Sequence, residues 1–419
     1  MRHGRAMHAR TTSHATEAPN RSPIPMGEFV ALIASIMALT ALGIDSMLPA
    51  LPAIGDELGV AEPNHRQYVI TAFMLGFAVA QLFHGPLADR FGRKPVIVAA
   101  LLLYVLTNAW AAFSSSFELL LAARAASGAA VAAGRVVTVA LVRDCFAGRA
   151  MARVMSLAFM TFMIVPVLAP AFGQAMVIIF GDWRLIFGGV AAVSAGVLIW
   201  FTLRMPETLD REARDAFHLR NVFNGYGVMV RDRWAVGYTL ASAAIWGCFF
   251  SFVGSIQQIV YDVFKRPELL TLVFGAIAGF MAAGAFLNSR LVMRLGMRFL
   301  SHLALVATLG ISALHLAVIL AGGENLWVFI ALQAPMMAAM GLCNSNFSAM
   351  AMENMGDVAG TASSLQGFVQ TMGAAVLGAV IGQSFDGSTV PLYTGFLTLG
   401  LTALLIIFVT ERGRLFRRS

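Results

Sequence analysis

Apolar runs long enough to cross a lipid bilayer recur along almost the whole of this 419-residue chain. Each has roughly 18–25 residues, the length at which a helix spans a hydrocarbon layer about 30 Å thick. A membrane barrel would instead show strands of about ten residues with alternating polarity, a pattern that the sequence lacks. We therefore predict an all-α membrane protein with twelve transmembrane helices, at residues 28–52, 67–87, 95–114, 117–141, 155–179, 184–204, 235–258, 269–289, 299–320, 325–350, 360–384 and 390–410.

The composition excludes an ordinary soluble protein. Hydrophobic residues make up 58% of the chain and charged residues only 12%, against about 25% charged in a typical soluble domain. The basic residues fall almost entirely on one side of the predicted helices, which predicts a cytoplasmic location for both termini. The net charge of +7 then reflects this topology and contact with anionic membrane lipids rather than binding to nucleic acid.

A charged stretch divides the chain into two sets of six helices. The apolar pattern stops at residues 205–234, which we interpret as a cytoplasmic loop between bundles at 28–204 and 235–410. Residues 1–27 predict a disordered cytoplasmic tail, and 411–419 a basic one. The sequence RFGRK at 90–94 is echoed by RLGMR at 294–298, as two related halves predict, although so short an echo can also arise by chance.

The segment between the second and third apolar runs carries a dense charge cluster, GPLADRFGRKP at residues 85–95. It resembles the signature loop of the major facilitator superfamily, Gly-x-Leu-Ala-Asp-Arg-x-Gly-Arg-Lys. The resemblance implies two pseudo-symmetric six-helix bundles, transport by alternating access and a place in a bacterial inner membrane, and we expect a monomer. We expect Asp89 to close the cytoplasmic side by lying against the N-terminus of the helix that starts near Gly360. The expected gating residues of this loop are Gly85, Asp89, Arg90, Gly92 and Arg93, although the basic ones could simply anchor the topology.

One acidic residue, Asp45, lies well inside a predicted membrane helix, where an unpaired carboxylate is energetically costly. Arg124 lies at a similar predicted depth, so we expect a salt bridge between them. The sequence LLAARAASG at 120–128 also resembles the helix-four motif of proton-coupled members of the superfamily, with Ser127 in place of the usual glutamine. The alternative is that Pro49 ends the helix early and leaves Asp45 among the lipid headgroups.

The energy source is inferred partly by exclusion of the others, which leaves a proton gradient. Neither lysine lies in a phosphate-binding loop, and the zinc and nucleophile motifs of hydrolases are absent, so we expect no enzyme, cofactor or metal. Burial favours a protonated Asp45 and a nearby cation favours an ionised one. We therefore hypothesise that Asp45 pairs with Arg124 in one state and is protonated when the cavity opens outward, so that protons and substrate compete.

The predicted fifth helix contains VPVLAPAFGQ at residues 165–174, which resembles the antiporter motif Gly-Pro-x-x-x-Gly in part. We expect Pro166, Pro170 and Gly173 to take part in gating, with generic helix kinking as the alternative. Val165 replaces the expected glycine and leaves the direction of transport open.

Short blocks at residues 44–52, 143–146 and 360–364 resemble the Bcr/CflA-type drug:proton antiporters. This implies export of small, moderately apolar compounds that resemble chloramphenicol or bicyclomycin. Other possibilities are a transporter of a small metabolite and a membrane receptor or scaffold that transports nothing. The cavity is expected between the bundles near the midplane. Its candidate lining residues, each of which could also serve ordinary packing, are Met74, Trp246, Phe250, Asn344, Asn346, Gln366 and Gln370.

Overall fold

Helices account for nearly all of the described chain. The computed structural model describes residues 22–162, 164–209 and 219–416, and within these ranges it has no strand. Residues 22–209 are called the N-terminal half below, and residues 219–416 the C-terminal half. The helices of the N-terminal half are α1 (Met26–Asp45), α2 (Leu51–Glu57), α3 (Tyr68–Phe91), α4 (Arg93–Ala112), α5 (Phe117–Cys145), α6 (Gly148–Phe162), α7 (Ile164–Phe180) and α8 (Arg184–Arg204). Those of the C-terminal half are α9 (Leu219–Arg231), α10 (Arg233–Gln258), α11 (Leu270–Leu295), α12 (Met297–Leu320), α13 (Leu326–Ala351), α14 (Ala359–Gln383) and α15 (Val390–Thr410).

The predicted membrane spans coincide with these helices to within a few residues. Eleven helical segments of the described chain are long and apolar enough to cross a membrane, and α7 is a shorter apolar helix. The predicted span 155–179 falls on α6 and α7, on either side of residue 163, which lies outside the described residues. The all-helical membrane fold is therefore confirmed.

The first predicted span, 28–52, is not one straight helix. Regular α-helix ends at Asp45, a short 3₁₀ turn follows at Leu48–Ala50, and α2 begins at Leu51. Pro49 and Pro52 lie in the first turns of these two short elements. Proline is tolerated there because its missing N–H would have no partner in a first turn.

The same corner joins two helices in each half. Gly92 separates α3 from α4 with φ at 104°, and Gly296 separates α11 from α12 with φ at 81°. Glycine adopts these angles without the strain that a side chain would add. The echo predicted between residues 90–94 and 294–298 therefore falls on one repeated structural feature.

Close contacts between glycine and backbone hold equivalent helices together in the two halves. A Cβ on Gly128 of α5 would lie 1.9 Å from the carbonyl oxygen of Phe73 in α3. A Cβ on Gly284 of α11 would lie 2.2 Å from the carbonyl oxygen of Ala338 in α13. Small residues allow such close approach of helices in a membrane, where packing drives their association.

Two segments predicted as loop or tail have defined structure. The stretch 205–234 contains α9, while residues 210–218 lie outside the described part. In the tail 411–419, Glu411 is buried and accepts hydrogen bonds from Tyr238 Oη at 2.5 Å and Arg298 Nε at 3.1 Å. Glu411 is therefore packed against the helices, whereas Arg412, Gly413 and Arg414 are exposed. The predicted tail at 1–27 lies outside the described residues up to residue 21, and α1 already begins at Met26.

Candidate functional site

Arg124 is fully buried in α5 and joins three helices. Its Nη2 donates to the carbonyl oxygen of Gly43 in α1 at 2.7 Å, and its Nε donates to that of Val69 in α3 at 3.2 Å. The guanidinium lies 4.4 Å from the centre of the Phe73 ring. These carbonyl dipoles and the ring face stabilise a cation that has lost its water. The Nη1 atom has no hydrogen-bond partner.

Asp45 ends α1 and is only 6% exposed. It has no hydrogen-bond or ion-pair partner among the described residues, so the predicted salt bridge between Asp45 and Arg124 is wrong for this conformation. Arg124 is instead held by backbone carbonyls, which accept from two of its three guanidinium nitrogens. The two residues are nevertheless neighbours, because Gly43 is only two positions before Asp45.

The burial of Asp45 also disfavours the alternative position among lipid headgroups. Asp45 precedes the 3₁₀ turn and α2. Glu57, at the end of α2, accepts hydrogen bonds from Trp183 at 2.6 Å and from Arg184. Asp45, by contrast, is buried among the helices.

The proline and glycine motif of the predicted fifth membrane helix, which lies in α7, contacts the backbone next to Asp45. A Cβ on Gly173 of α7 would lie 1.8 Å from the carbonyl oxygen of Ser46, the residue after Asp45. Pro170 is buried and Pro166 half-buried in the same helix. One position beyond the glycine, Gln174 accepts a hydrogen bond from Thr271 Oγ1 in α11 at 2.5 Å. This motif thus links the surroundings of Asp45 to the opposite half.

The signature segment forms an ionic network at the opposite end of the helices, which we call the signature end. Arg93 is buried and its guanidinium contacts Asp89 at 2.5 Å and Asp144 at 2.9 Å. Glu207, which follows α8, accepts hydrogen bonds from the backbone N–H of Arg93 at 3.0 Å and of Lys94 at 3.2 Å. The network therefore ties together α3, α4, the end of α5 and the segment after α8.

The expected contact of Asp89 with the N-terminus of α14 is not present. Asp89 pairs with Arg93 one helical turn away, its side chain is 48% exposed, and the start of α14 has no side-chain cap. Gly85 is the residue of this segment that approaches α14, since a Cβ there would lie 3.1 Å from Ser364 Oγ. Gly92 forms the corner described above, and Arg90 is exposed.

An uncharged clasp joins the two halves at the other end of the helices. Asn64 Nδ2 donates to the carbonyl oxygens of Gln383 at 3.1 Å and Phe385 at 2.8 Å. Gln258 Nε2 donates to Asn64 Oδ1 at 2.8 Å, and Gln67 Nε2 donates to Gln258 Oε1 at 2.5 Å. We call Asn64, Gln67, Gln258 and Gln383 the amide clasp, and their end of the helices the clasp end. The structure is closed there.

Three of the predicted lining residues meet in one polar cluster of the C-terminal half. Ser242 Oγ donates to Asn344 Oδ1 at 2.9 Å and accepts from Gln370 Nε2 at 3.0 Å. Gln370 also reaches Ser348 Oγ at 3.3 Å, and Gln366 donates to the Ser348 carbonyl at 3.2 Å. This polar cluster presents amides and hydroxyls without a formal charge.

The apolar candidates lie elsewhere along the interface. Met74 and Phe250 line one small cleft between the halves, with a volume of about 10 Å³, enough for about one water. Trp246 stacks on Phe250 with ring centres 5.8 Å apart. Asn346 is separate from both groups, because it exchanges hydrogen bonds with Asn288 inside the C-terminal half at 2.9 Å and 3.2 Å.

Two features of the interface escaped the sequence prediction. The clasp residues Gln67 and Gln258 lie at the ends of apolar runs, where an amide gives no distinctive signal. Arg135 did give a signal, since it is a charged residue in the middle of the apolar run of α5. Its side chain is exposed and has no hydrogen-bond or ion-pair partner in the described structure.

Comparison with known sequences gives a consistent result. The sequence model of the Major Facilitator Superfamily matches residues 33–379. The bicyclomycin resistance protein homolog of Haemophilus influenzae is 29% identical over 398 residues, which cover 92% of this chain and 96% of that protein. Multidrug resistance protein D of Escherichia coli is 27% identical over 368 residues, covering 86% and 91% respectively. The resemblance to Bcr/CflA-type transporters is thereby confirmed.

Solved structures share the fold. A bacterial homolog of the human lysosomal transporter Spinster, in an inward-facing and occupied conformation, has a TM-score of 0.71 at 15% identity, covering 92% of this chain and 96% of that chain. The human organic anion transporter MFSD10 (TETRAN) has a TM-score of 0.65 at 20% identity, covering 92% and 100% respectively. Similarity at this level of identity establishes the architecture alone.

Proposed function

This chain belongs to the Major Facilitator Superfamily, and from that premise we propose that it exports small, moderately apolar drugs in exchange for protons. Membership makes the protein a transporter rather than an enzyme. The names of the relatives, bicyclomycin resistance and multidrug resistance, support drugs as the class of cargo. The observation that carries the proposal is Asp45, a carboxyl group buried between helices without a partner.

The proposed orientation places the signature end in the cytoplasm and the clasp end outside. The basic residues concentrated at the signature end support this assignment through the positive-inside rule. Both termini are then cytoplasmic and the protein lies in a bacterial inner membrane, where it acts as a monomer surrounded by lipid. In this orientation the amide clasp is the outer gate, and the structure has that gate closed.

Asp45 is proposed to carry the transported proton. Burial without a hydrogen-bond partner favours the neutral carboxyl, so the closed-clasp conformation holds the protonated form. When the signature end opens to the cytoplasm, the proton leaves and the free Nη1 of Arg124 can pair with the ionised carboxylate. When the outer gate opens, the carboxylate takes up a proton from outside and the cargo is released. The proton gradient supplies about 2.3 kcal/mol per charge per 100 mV, which drives the cargo outward.

The cargo is proposed to bind between the halves. The polar cluster of Ser242, Asn344 and Gln370 offers hydrogen-bond donors and acceptors to hydroxyl and amide groups. Met74 and Phe250 offer apolar contact, and methionine adapts to varied shapes. A small compound of the chloramphenicol kind, with hydroxyl and amide groups on an apolar body, matches this combination. Uptake of a metabolite is the second candidate, which Val165 favours because it replaces the antiporter glycine.

Everted vesicles with an acidic lumen test the proposal, with a pH-sensitive dye as the reporter. Addition of chloramphenicol is expected to release protons from vesicles that contain the wild-type protein, and to release none with Asp45→Asn. The matched control is Asp262→Asn, because Asp262 is exposed at the clasp end. Uphill chloramphenicol transport by Asp45→Asn at the wild-type rate would refute the coupling role. Proton movement in the reverse direction would favour uptake.

A further inference from the structure

Arg135 is a second arginine of α5 that the proton-coupling scheme does not use. It lies ten residues before the helix ends at Cys145, a depth of about 15 Å from the signature end. The adjacent residues in the chain are Gly134 and Val136. A charge at such a depth is costly unless it faces water or a partner, and in a membrane protein it usually marks a functional site.

The side chain of Arg135 is exposed, and contacts of its own helix with α14 place it beside the space between the halves. Exposed positions recur at Arg135, Val139 and Arg143, spaced so that they share one face of α5. At the far end of this stripe, Arg143 Nη1 would lie 3.8 Å from a Cβ on Gly360, in the first turn of α14.

A second contact places the same part of α5 next to the C-terminal half. A Cβ on Gly85 would lie 3.6 Å from Val136 Cγ1 and 3.1 Å from Ser364 Oγ of α14. The residue adjacent to Arg135 is therefore at the crossing of the two halves. The exposed stripe of α5 thus runs along the space between them.

The facing half supplies no counter-charge. Gln370 lies eleven residues into α14, about 16 Å from the signature end and so at the level of Arg135. A hydrogen bond of 3.0 Å from Gln81 Nε2 to Thr371 Oγ1 joins the halves at this level. The groups that this level of the C-terminal half presents are amides and hydroxyls, and within the described structure Arg135 has no carboxylate partner.

We propose that Arg135 binds an anionic group of the cargo, so that the preferred substrates are amphipathic acids with one carboxylate on an apolar body. This rests on the proposed transport function and specifies its substrate class. A guanidinium presents a planar fork of donors that matches a carboxylate, and such charge-assisted bonds are stronger than neutral ones. The polar cluster and the apolar side chains receive the uncharged remainder of the molecule.

Binding of a matched pair of compounds to the purified protein in detergent tests this assignment without any gradient. Chloramphenicol is the neutral probe, and chloramphenicol hemisuccinate carries the same body with a carboxylate. The hemisuccinate is expected to bind the wild type more tightly than chloramphenicol and to lose affinity as salt is raised. Arg135→Gln is expected to weaken hemisuccinate binding roughly tenfold and chloramphenicol binding by less than about twofold, since a charged hydrogen bond is lost only by the acid.

Two further variants keep the test decisive. Arg135→Lys retains the charge without the fork, so hemisuccinate binding should be intermediate. Arg290→Gln is the control, because Arg290 is an exposed arginine of α11 that stacks on Phe286. Equal losses for both compounds in Arg135→Gln, an unchanged hemisuccinate affinity, or no hemisuccinate binding to the wild type would each overturn the assignment. Failure of proton coupling in vesicles would leave these binding results intact, so the two proposals fail separately.

Discussion

Gly173 of α7 lies directly on the backbone carbonyl oxygen of Ser46, the residue that follows Asp45. There is no room for even a methyl group, since a Cβ would be 1.8 Å from that oxygen. The same helix hydrogen-bonds to α11 through Gln174. We therefore expect a movement of the halves at α7 and α11 to reach the end of α1, where the buried carboxyl group lies.

Gly173→Ala is expected to disable transport and to destabilise the protein by about 1–3 kcal/mol, because the new methyl group must push α1 and α7 apart. Thermal unfolding in detergent and drug-induced proton release measure the two effects. Gly188→Ala in α8 is the control, since a Cβ there meets nothing within 4 Å. Wild-type transport by Gly173→Ala would show that the close contact is dispensable.

Arg124→Lys is expected to behave as a damaging substitution despite the conserved charge. A single ammonium group cannot reproduce the fork that reaches the carbonyls of Gly43 and Val69 together. Loss of one such bond in a buried site corresponds to about 1–3 kcal/mol of unfolding free energy. The melting temperature in detergent is the measurement, with Arg290→Lys on the exposed face of α11 as the control. An unchanged melting temperature would contradict the bridging role.

The helices were predictable because membrane length and apolar character are local properties of the sequence. Residues 184–204, predicted from composition, coincide with α8. The corner at Gly92 was predictable from a motif and its counterpart at Gly296 from the echo, since both depend on a glycine in a fixed place. The kink after Asp45 was predictable only in part, because Pro49 and Pro52 fit the first turns of short helices as well as helix ends.

The site was less predictable, for a physical reason that Arg124 illustrates. Its charge and depth were readable from the sequence, but its hydrogen-bond acceptors are backbone carbonyls, which every residue carries and no pattern distinguishes. Asp45 was correctly predicted to be buried, and its pairing was predicted wrongly on the assumption that opposite charges meet. Asp89 shows the same limit, because its partner Arg93 was four residues away rather than in another helix.

Asp144→Asn is expected to destabilise the signature end more than Asp89→Asn. Both carboxylates bind Arg93, but the side chain of Asp144 is 15% exposed and that of Asp89 is 48% exposed. Asp144 also accepts a hydrogen bond from Thr208 Oγ1 at 3.3 Å. We expect a loss of about 1–3 kcal/mol for Asp144→Asn and less than about 1 kcal/mol for the more exposed pair. Equal shifts in melting temperature would contradict this, because they would show that the two ion pairs contribute equally to stability.

Gln258→Leu is expected to loosen the amide clasp and to open the clasp end more often. Gln258 both accepts from Gln67 and donates to Asn64, so its replacement removes two hydrogen bonds of the clasp and weakens the closed conformation relative to the open one. A cysteine introduced at Thr71, which lines the cleft just inside the clasp, reports opening through its reaction with a membrane-impermeant thiol reagent. The three native cysteines are all buried. We expect faster labelling in Gln258→Leu than in the parent carrying Thr71→Cys alone.

Gln333→Leu is the control, because Gln333 accepts from Tyr393 within the C-terminal half and lies outside the clasp. Equal labelling rates in all three proteins would show that the clasp does not govern access.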